Sequence, residues 1–440
     1  DYDGALELYR HAVKHAGEAD VGPTMAAVGL LTKRADRADG GDDAKATAYR
    51  AEIETLLEPL TKRAAEDSSV AVTLGAAYLA GGNAAKADEW LTRATAQRPD
   101  DADAKLQLAK AKGRLGKPED ALALLTQAFN ANPGRTDIGA ELARTMEMAG
   151  RSQEASALYE KLLDAPDVPV SLRAHAGRFL ARNGQIERAF AQGEAILAEL
   201  PSGDAAGYFL RGLGYLEQKK LDDARRDLQR AVNLDHDAEF SVALGQATEQ
   251  LWRASGDSRY MEEALRAYTQ AAGQQPTAAA LHGVGRLRLE RREAAKALEA
   301  LLHANQLDGR DSDVLYLIGL AYQELNQFKA AAAWLERSNE VKPRAEAEYR
   351  LGLALLELEQ GSRAAAALTR ATTAALAEEK KAGEKDQKVA WLTEALYLLG
   401  RVEHDRRSEG PARRAWELYL GRSPTNLPQV DEVKRLLGLR

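Results

Sequence analysis

The chain has 440 residues, 45% of them hydrophobic and 29% charged, a balance that suits a folded protein rather than a disordered one. A net charge of -7 and a pI near 5.7 disfavour a whole-surface nucleic-acid role, and no run of about 18 apolar residues is present to cross a membrane. The absence of cysteine excludes disulfides, thiolate zinc sites, thiol catalysis and thioether haem attachment.

Residues 1–67 read as the trailing half of a helical hairpin followed by a lengthened one. Ala5 and Tyr9 hold the places that Ala87 and Leu91 hold later, so the natural polypeptide is expected to begin earlier. A helix around Pro23 to Arg37 precedes Gly40-Gly41-Asp42-Asp43, and a long helical stretch is expected through Ala65.

Residues 68–238 repeat one phrase at intervals of about 34 residues. It runs Leu74, Gly75, Tyr78, Gly82, Ala87, Leu91, Ala94 and Pro99, then Leu108, Ala109, Gly116, Ala121, Leu125, Ala128 and Pro133. Units begin near Ser68, Ala102, Thr136, Val170 and Ala205. The second-helix alanines continue along the whole chain as Ala87, Ala121, Ala155, Ala189, Ala224, Ala264, Ala297, Ala331 and Ala364. Small side chains there let two antiparallel helices approach closely, while a large residue four positions on fills the groove between them. Pro99, Pro133, Pro201, Pro276 and Pro343 close second helices because proline lacks the amide a continuing helix needs, and Asp100 and Asp101 stand where the next helix wants an anionic cap.

Residues 239–277 form an irregular unit, with a longer loop expected at Ala254 to Arg259. Residues 278–376 return to the regular array, with units near Ala278, Ser312 and Ala345. Residues 377–440 add a polar extension, including Glu384-Lys385-Asp386, and then a capping arrangement. Trp391, Leu392, Ala395, Leu396 and Leu399 face Ala415, Trp416, Leu418 and Tyr419. Beyond Pro424 and Pro428, the stripe Val430, Val433, Leu436 and Leu437 is expected to cover the end of the stack.

The pattern resembles the tetratricopeptide repeat family, with its W-x-x-L-G-x-x-Y, A-x-x-x-F, A and P order over 34 residues. The closest match is Val314 to Tyr322 followed by Ala331, Leu335, Ser338 and Pro343; the early Trp is usually Val or Leu, and Gly193 replaces the large residue in one unit. The resemblance implies an all-α, right-handed superhelical solenoid of roughly eleven stacked hairpins. It also implies that first helices line a concave groove through unit positions 2, 5, 9, 12 and 13.

On those positions two surfaces emerge. Lys110, Arg144 and Arg178 share position 9 in successive units, with Arg114 and Arg182 one turn further on. Together they would form a cationic ladder for an acidic peptide segment, a carboxylate terminus or a phosphorylated tail, or else a solvated stripe. Phe209, His282, Tyr316 and Tyr349 at position 5, with Arg286 and the leucines Leu213, Leu320 and Leu353 at position 9, would offer a more apolar groove to an apolar segment. Packing between neighbouring first helices is the alternative. The family's clamp for acidic C-termini is absent, since Val72 and Ala76, Leu106 and Lys110, or Tyr316 and Leu320 replace its Lys and Asn.

Phosphate-loop, zinc-helix and nucleophile-elbow motifs are absent, and His11 and His15 pair at i,i+4 with no third ligand evident. The expectation is a non-catalytic protein–protein scaffold or adaptor with no cofactor, no metal and no nucleic-acid partner. Its Ala/Arg/Leu-rich style resembles bacterial arrays of envelope, secretion or motility assemblies, leaving periplasm, envelope and cytoplasm open as compartments. Two other roles stay open: a peptide-sensing or substrate-tethering domain of an enzyme, and an architectural subunit binding through its convex face and ends.

Overall fold

The computed structural model describes residues 2–15, 21–38, 43–382, 389–422 and 425–439, and among them every regular element is helical. Gly40-Gly41-Asp42, Glu384-Lys385-Asp386 and Pro424 lie outside the described residues. The chain divides into two compact units, Asp1–Ile196 and Leu197–Arg440. Among the described residues no helix is long and apolar enough to cross a membrane.

Unit one opens with α1 (Tyr2–His15), α2 (Gly22–Ala38), α3 (Asp43–Leu57) and α4 (Thr61–Glu66). The single stretch expected through Ala65 is broken, because Pro59 brings no amide and a short 3-10 turn at Glu58–Leu60 separates α3 from α4. Hairpins follow as α5 (Ser68–Ala80) with α6 (Ala84–Gln97), α7 (Ala102–Arg114) with α8 (Pro118–Ala131), and α9 (Thr136–Met148) with α10 (Ser152–Leu163). The last pair in the series is α11 (Val170–Arg182) and α12 (Ile186–Glu199).

Unit two contains α13 (Ala205–Glu217) with α14 (Leu221–Leu234), α15 (Ala238–Ser255) with α16 (Ser258–Gln274), and α17 (Ala278–Glu290) with α18 (Ala294–Leu307). It continues through α19 (Ser312–Glu324) with α20 (Phe328–Val341), α21 (Ala345–Glu357) with α22 (Gly361–Ala382), α23 (Leu392–Asp405) with α24 (Glu409–Gly421), and α25 (Leu427–Leu436). The irregular unit differs from expectation. Its extra residues lengthen α15 and α16 instead of the loop, which shrinks to Gly256 in a left-handed turn and Asp257, whose side chain caps α16 at the Arg259 amide.

The repeat phrase has a direct packing meaning. All nine second-helix alanines are 0% exposed, so each sits where the two helices of a hairpin meet. Opposite them, a Cβ on Gly75, Gly212, Gly285, Gly319 or Gly352 would fall within 2.4–2.7 Å of the large residue sixteen positions later: Leu91, Leu228, Leu301, Leu335 or Leu368. Gly400 meets Trp416 in the same register. These glycines are needed for close approach, since a methyl there would occupy space already filled.

Helix ends follow from local chemistry. Second helices end two residues before Pro99, Pro133, Pro201, Pro276 and Pro343. The carboxylates of Asp67, Asp101, Asp204, Asp237 and Asp311 accept amide bonds at the starts of α5, α7, α13, α15 and α19. At the other end of unit two, Val433 of α25 is buried, with Val430 and Leu437 packed against the cluster of Leu392, Leu396, Trp416 and Tyr419. Leu418 and Leu436, expected on the same apolar stripes, are exposed instead.

Candidate functional site

Within unit one, first helices lie beside one another as well as beside their own partners: α7 contacts both α5 and α9. On α7 the residues Ala109, Lys110, Gly113 and Arg114 share one face, and on α9 Glu141, Arg144, Thr145 and Met148 do the same, as the helical period requires. With Leu79 of α5 these residues line one cavity of about 330 Å³. Three of the five cations expected to form a ladder therefore converge. Arg178 and Arg182 are not among the lining residues, and both engage other groups in the chain.

The three cations differ in commitment. The Arg114 guanidinium donates to the carbonyl oxygen of Leu79, which ties its head to the preceding first helix. Among the described residues Lys110 and Arg144 make no side-chain hydrogen bond or ion pair, with Lys110 half-buried and Arg144 exposed. The neighbouring Lys112 is spent elsewhere, 2.8 Å from Asp88 of α6. Glu141 is the one carboxylate in the lining, so the cavity carries a surplus of positive charge inside an acidic chain.

Residues absent from the sequence expectation complete the site. Met148 lies 3.7 Å from where a Cβ on Gly113 would stand and is 58% exposed. Leu79 and Ala109 are buried beneath. Met148 is four residues beyond Arg144 on the same helix face, so periodicity could have found it. The bond from Arg114 to a backbone carbonyl has no signature in sequence.

In unit two, rings expected at an apolar surface pack against neighbouring helices, the alternative given above. Phe209 is 2% exposed and its ring lies 4.6 Å from that of Phe240 on α15. Tyr349 is 3% exposed, stacks on Trp391 at 4.8 Å and donates its hydroxyl to Glu394 of α23 at 2.8 Å. Tyr316 is half-buried, with its hydroxyl beside Glu346 and Arg350 of α21, and burial is the main cause that pushes this phenol up. In each case the position-5 ring reaches the next first helix. Area burial explains it: an aromatic ring gains more against a neighbouring helix than facing water.

Arg286 and His282 are likewise bound into the fold. Arg286 donates to Glu249 Oε2 at 2.5 Å, and the same buried carboxylate accepts from the Tyr268 hydroxyl at 3.1 Å and from Arg253 at 2.9 Å. This cluster joins α15, α16 and α17. His282 Nδ1 stands 3.6 Å from Asp311, yet burial, followed by the charge of Arg286, lowers its pKa from the usual value. The pull of Asp311 is thus outweighed by desolvation.

Two larger cavities, of about 610 and 640 Å³, lie at hairpin turns of unit two. Arg292, Lys296, Glu324 and Asn326 line the first, and Phe328, Ala333 and Leu358 the second; neither gathers a residue singled out from sequence. Among the described residues no group of three His, Asp or Glu side chains is placed to hold a metal ion. His11 and His15 simply lie with ring centroids 4.4 Å apart on α1.

Two family profiles described as tetratricopeptide repeat match the chain, over residues 114–169 and 312–344. No curated protein sequence matches it significantly. Among solved structures, the Cut9–Hcn1 hetero-tetramer of the APC/C aligns at 14% identity, covering 99% of this chain and 93% of that one, with a TM-score of 0.44. PilF of Pseudomonas aeruginosa aligns at 19% identity over 52% of this chain and 96% of its own, with a TM-score of 0.41. A tetratricopeptide repeat protein of Parabacteroides merdae gives 14% identity, 58% and 98% coverage and a TM-score of 0.43. With both profile matches lying on helical hairpins whose second-helix alanine, Ala155 or Ala331, is wholly buried, the chain belongs to the tetratricopeptide repeat family.

Proposed function

We propose that this chain is an adaptor whose first unit docks an acidic peptide segment of a partner protein in the cavity between α5, α7 and α9. Tetratricopeptide arrays are non-catalytic scaffolds for protein–protein interaction, and that general role applies here. The observation that carries the finer reading is the pair Lys110 and Arg144, two cations that line one cavity and make no side-chain hydrogen bond or ion pair among the described residues. A carboxylate entering there gains charge-assisted hydrogen bonds without first breaking internal ones. The packing of Phe209 and Tyr349 against neighbouring helices leaves this as the better supported of the two surfaces.

The test is equilibrium binding of a fluorescent peptide of alternating Glu and Ser, compared with its Gln/Ser counterpart. The Glu peptide is expected to bind more tightly, to weaken with added salt, and to lose about tenfold or more in affinity on Lys110→Glu with Arg144→Glu. Equal binding of the two peptides, or no response to the paired substitution, would contradict the reading.

A further inference from the structure

We infer that the preferred group in this cavity is a phosphomonoester carried on a partner's polypeptide, in preference to a lone carboxylate. The inference rests on the acidic-segment reading and narrows it. Lys110, Arg114 and Arg144 against Glu141 leave a surplus of two positive charges among the lining residues. A phosphorylated side chain brings about -1.5 to -2 charges at neutral pH and three acceptor oxygens, so one such group matches the surplus. A single carboxylate offers two oxygens and half the charge.

Donor geometry points the same way. Lys110 supplies three N–H donors on a movable stem, while the two guanidinium groups present fixed forks suited to phosphate oxygens. Arg114 is already held by its bond to the Leu79 carbonyl, so part of the site is ordered before any ligand arrives. Lys110 and Arg144 have no internal acceptor to give up.

The source of the phosphate follows from the rest of the lining. None of the nine lining residues is aromatic, so a nucleotide base would find no stacking platform. Met148, more than half exposed beside Gly113, gives a flanking apolar side chain a surface to cover, which inorganic phosphate does not use. A phosphorylated residue next to an aliphatic one satisfies both parts of the cavity.

Three peptides of one sequence, with Ser, Glu or phosphoserine at the centre and Leu beside it, distinguish the possibilities when titrated against the whole chain. The phosphoserine peptide is expected to bind about tenfold or more tightly than the Glu peptide, and to lose a similar factor on Lys110→Gln or Arg144→Gln. The thermal unfolding midpoints of both variants should stay close to the parent's, because neither side chain makes an internal hydrogen bond or ion pair among the described residues. Equal affinity for phosphoserine and Glu, both above Ser, would overturn the phosphate preference and leave the acidic-segment reading standing. Equal affinity for all three would overturn both. Inorganic phosphate displacing the phosphopeptide at the concentration where the peptide itself binds would overturn the polypeptide source.

Discussion

A Cβ on Gly75 would stand 2.4 Å from Cγ of Leu91, which fixes how closely α5 and α6 approach. Gly75→Ala should therefore destabilise the protein by about 1–3 kcal/mol through overpacking, read as a lower urea midpoint. Gly29 of α2 is the contrast: a Cβ there meets nothing within 4 Å. Gly29→Ala should raise the midpoint by about 0.5–1 kcal/mol, since alanine is the better helix former. Equal effects from the two substitutions would remove the packing explanation.

The turn between first and second helices needs a left-handed residue, and the two units supply it differently. Unit one uses Gly82, Gly116, Gly150 and Gly184, whereas unit two, apart from Gly256 between α15 and α16, places Lys219, Arg292, Asn326, Glu359 and Arg407 at φ between 56° and 61°. Glu359→Gly should stabilise by about 1 kcal/mol, the left-handed strain relieved less the entropy glycine adds to the unfolded chain. Gly150→Ala should cost a similar amount despite having open space around its Cβ. Matched melting curves of parent and both variants test this; a stabilising Gly150→Ala would count against it.

Arg286 holds the buried carboxylate of Glu249. Arg286→Met leaves Glu249 with one cation fewer in the interior and should destabilise by about 2–4 kcal/mol. Binding of an acidic peptide should stay at the parental value wherever the variant remains folded. Loss of binding with unchanged stability would return Arg286 to the interaction surface.

His282 makes stability depend on pH. Its folded pKa lies below the unfolded value because burial, and then Arg286, disfavour the imidazolium. The unfolded chain therefore binds more protons in the window between the two values. The stability this group supplies is present above about pH 6.5 and is lost as pH falls through the folded pKa. His282→Gln should flatten the fall in the urea midpoint between about pH 7 and pH 5 relative to the parent; parallel curves would show that His282 does not contribute to it.

Much of the fold was legible because repetition multiplies weak signals. Ala87 alone says little, but nine alanines in one phase, each later found wholly buried, identify the hairpin seam, and Pro99 and Pro133 mark helix ends as expected. Position-5 rings were harder, because sequence places Phe209 and Tyr349 on a helix face without saying how near the next first helix lies. The insertion near Ala254 was legible as extra length, but whether it enters loop or helix depends on Gly256 and Asp257 forming a cap and stop. In the candidate site, spacing brought Lys110, Arg114 and Arg144 together, while Arg178 and Arg182 share that spacing and not the cavity.

The most direct test puts a photo-crosslinking residue, p-benzoylphenylalanine, at Met148 inside the cavity and, as a control, at exposed Leu307 in unit two. Irradiation with the phosphoserine or the Glu peptide should yield an adduct at position 148 that Lys110→Glu with Arg144→Glu abolishes, and none at position 307. Adducts of equal yield at both positions, or an adduct at 148 indifferent to the loss of the two cations, would contradict a docking site between α5, α7 and α9.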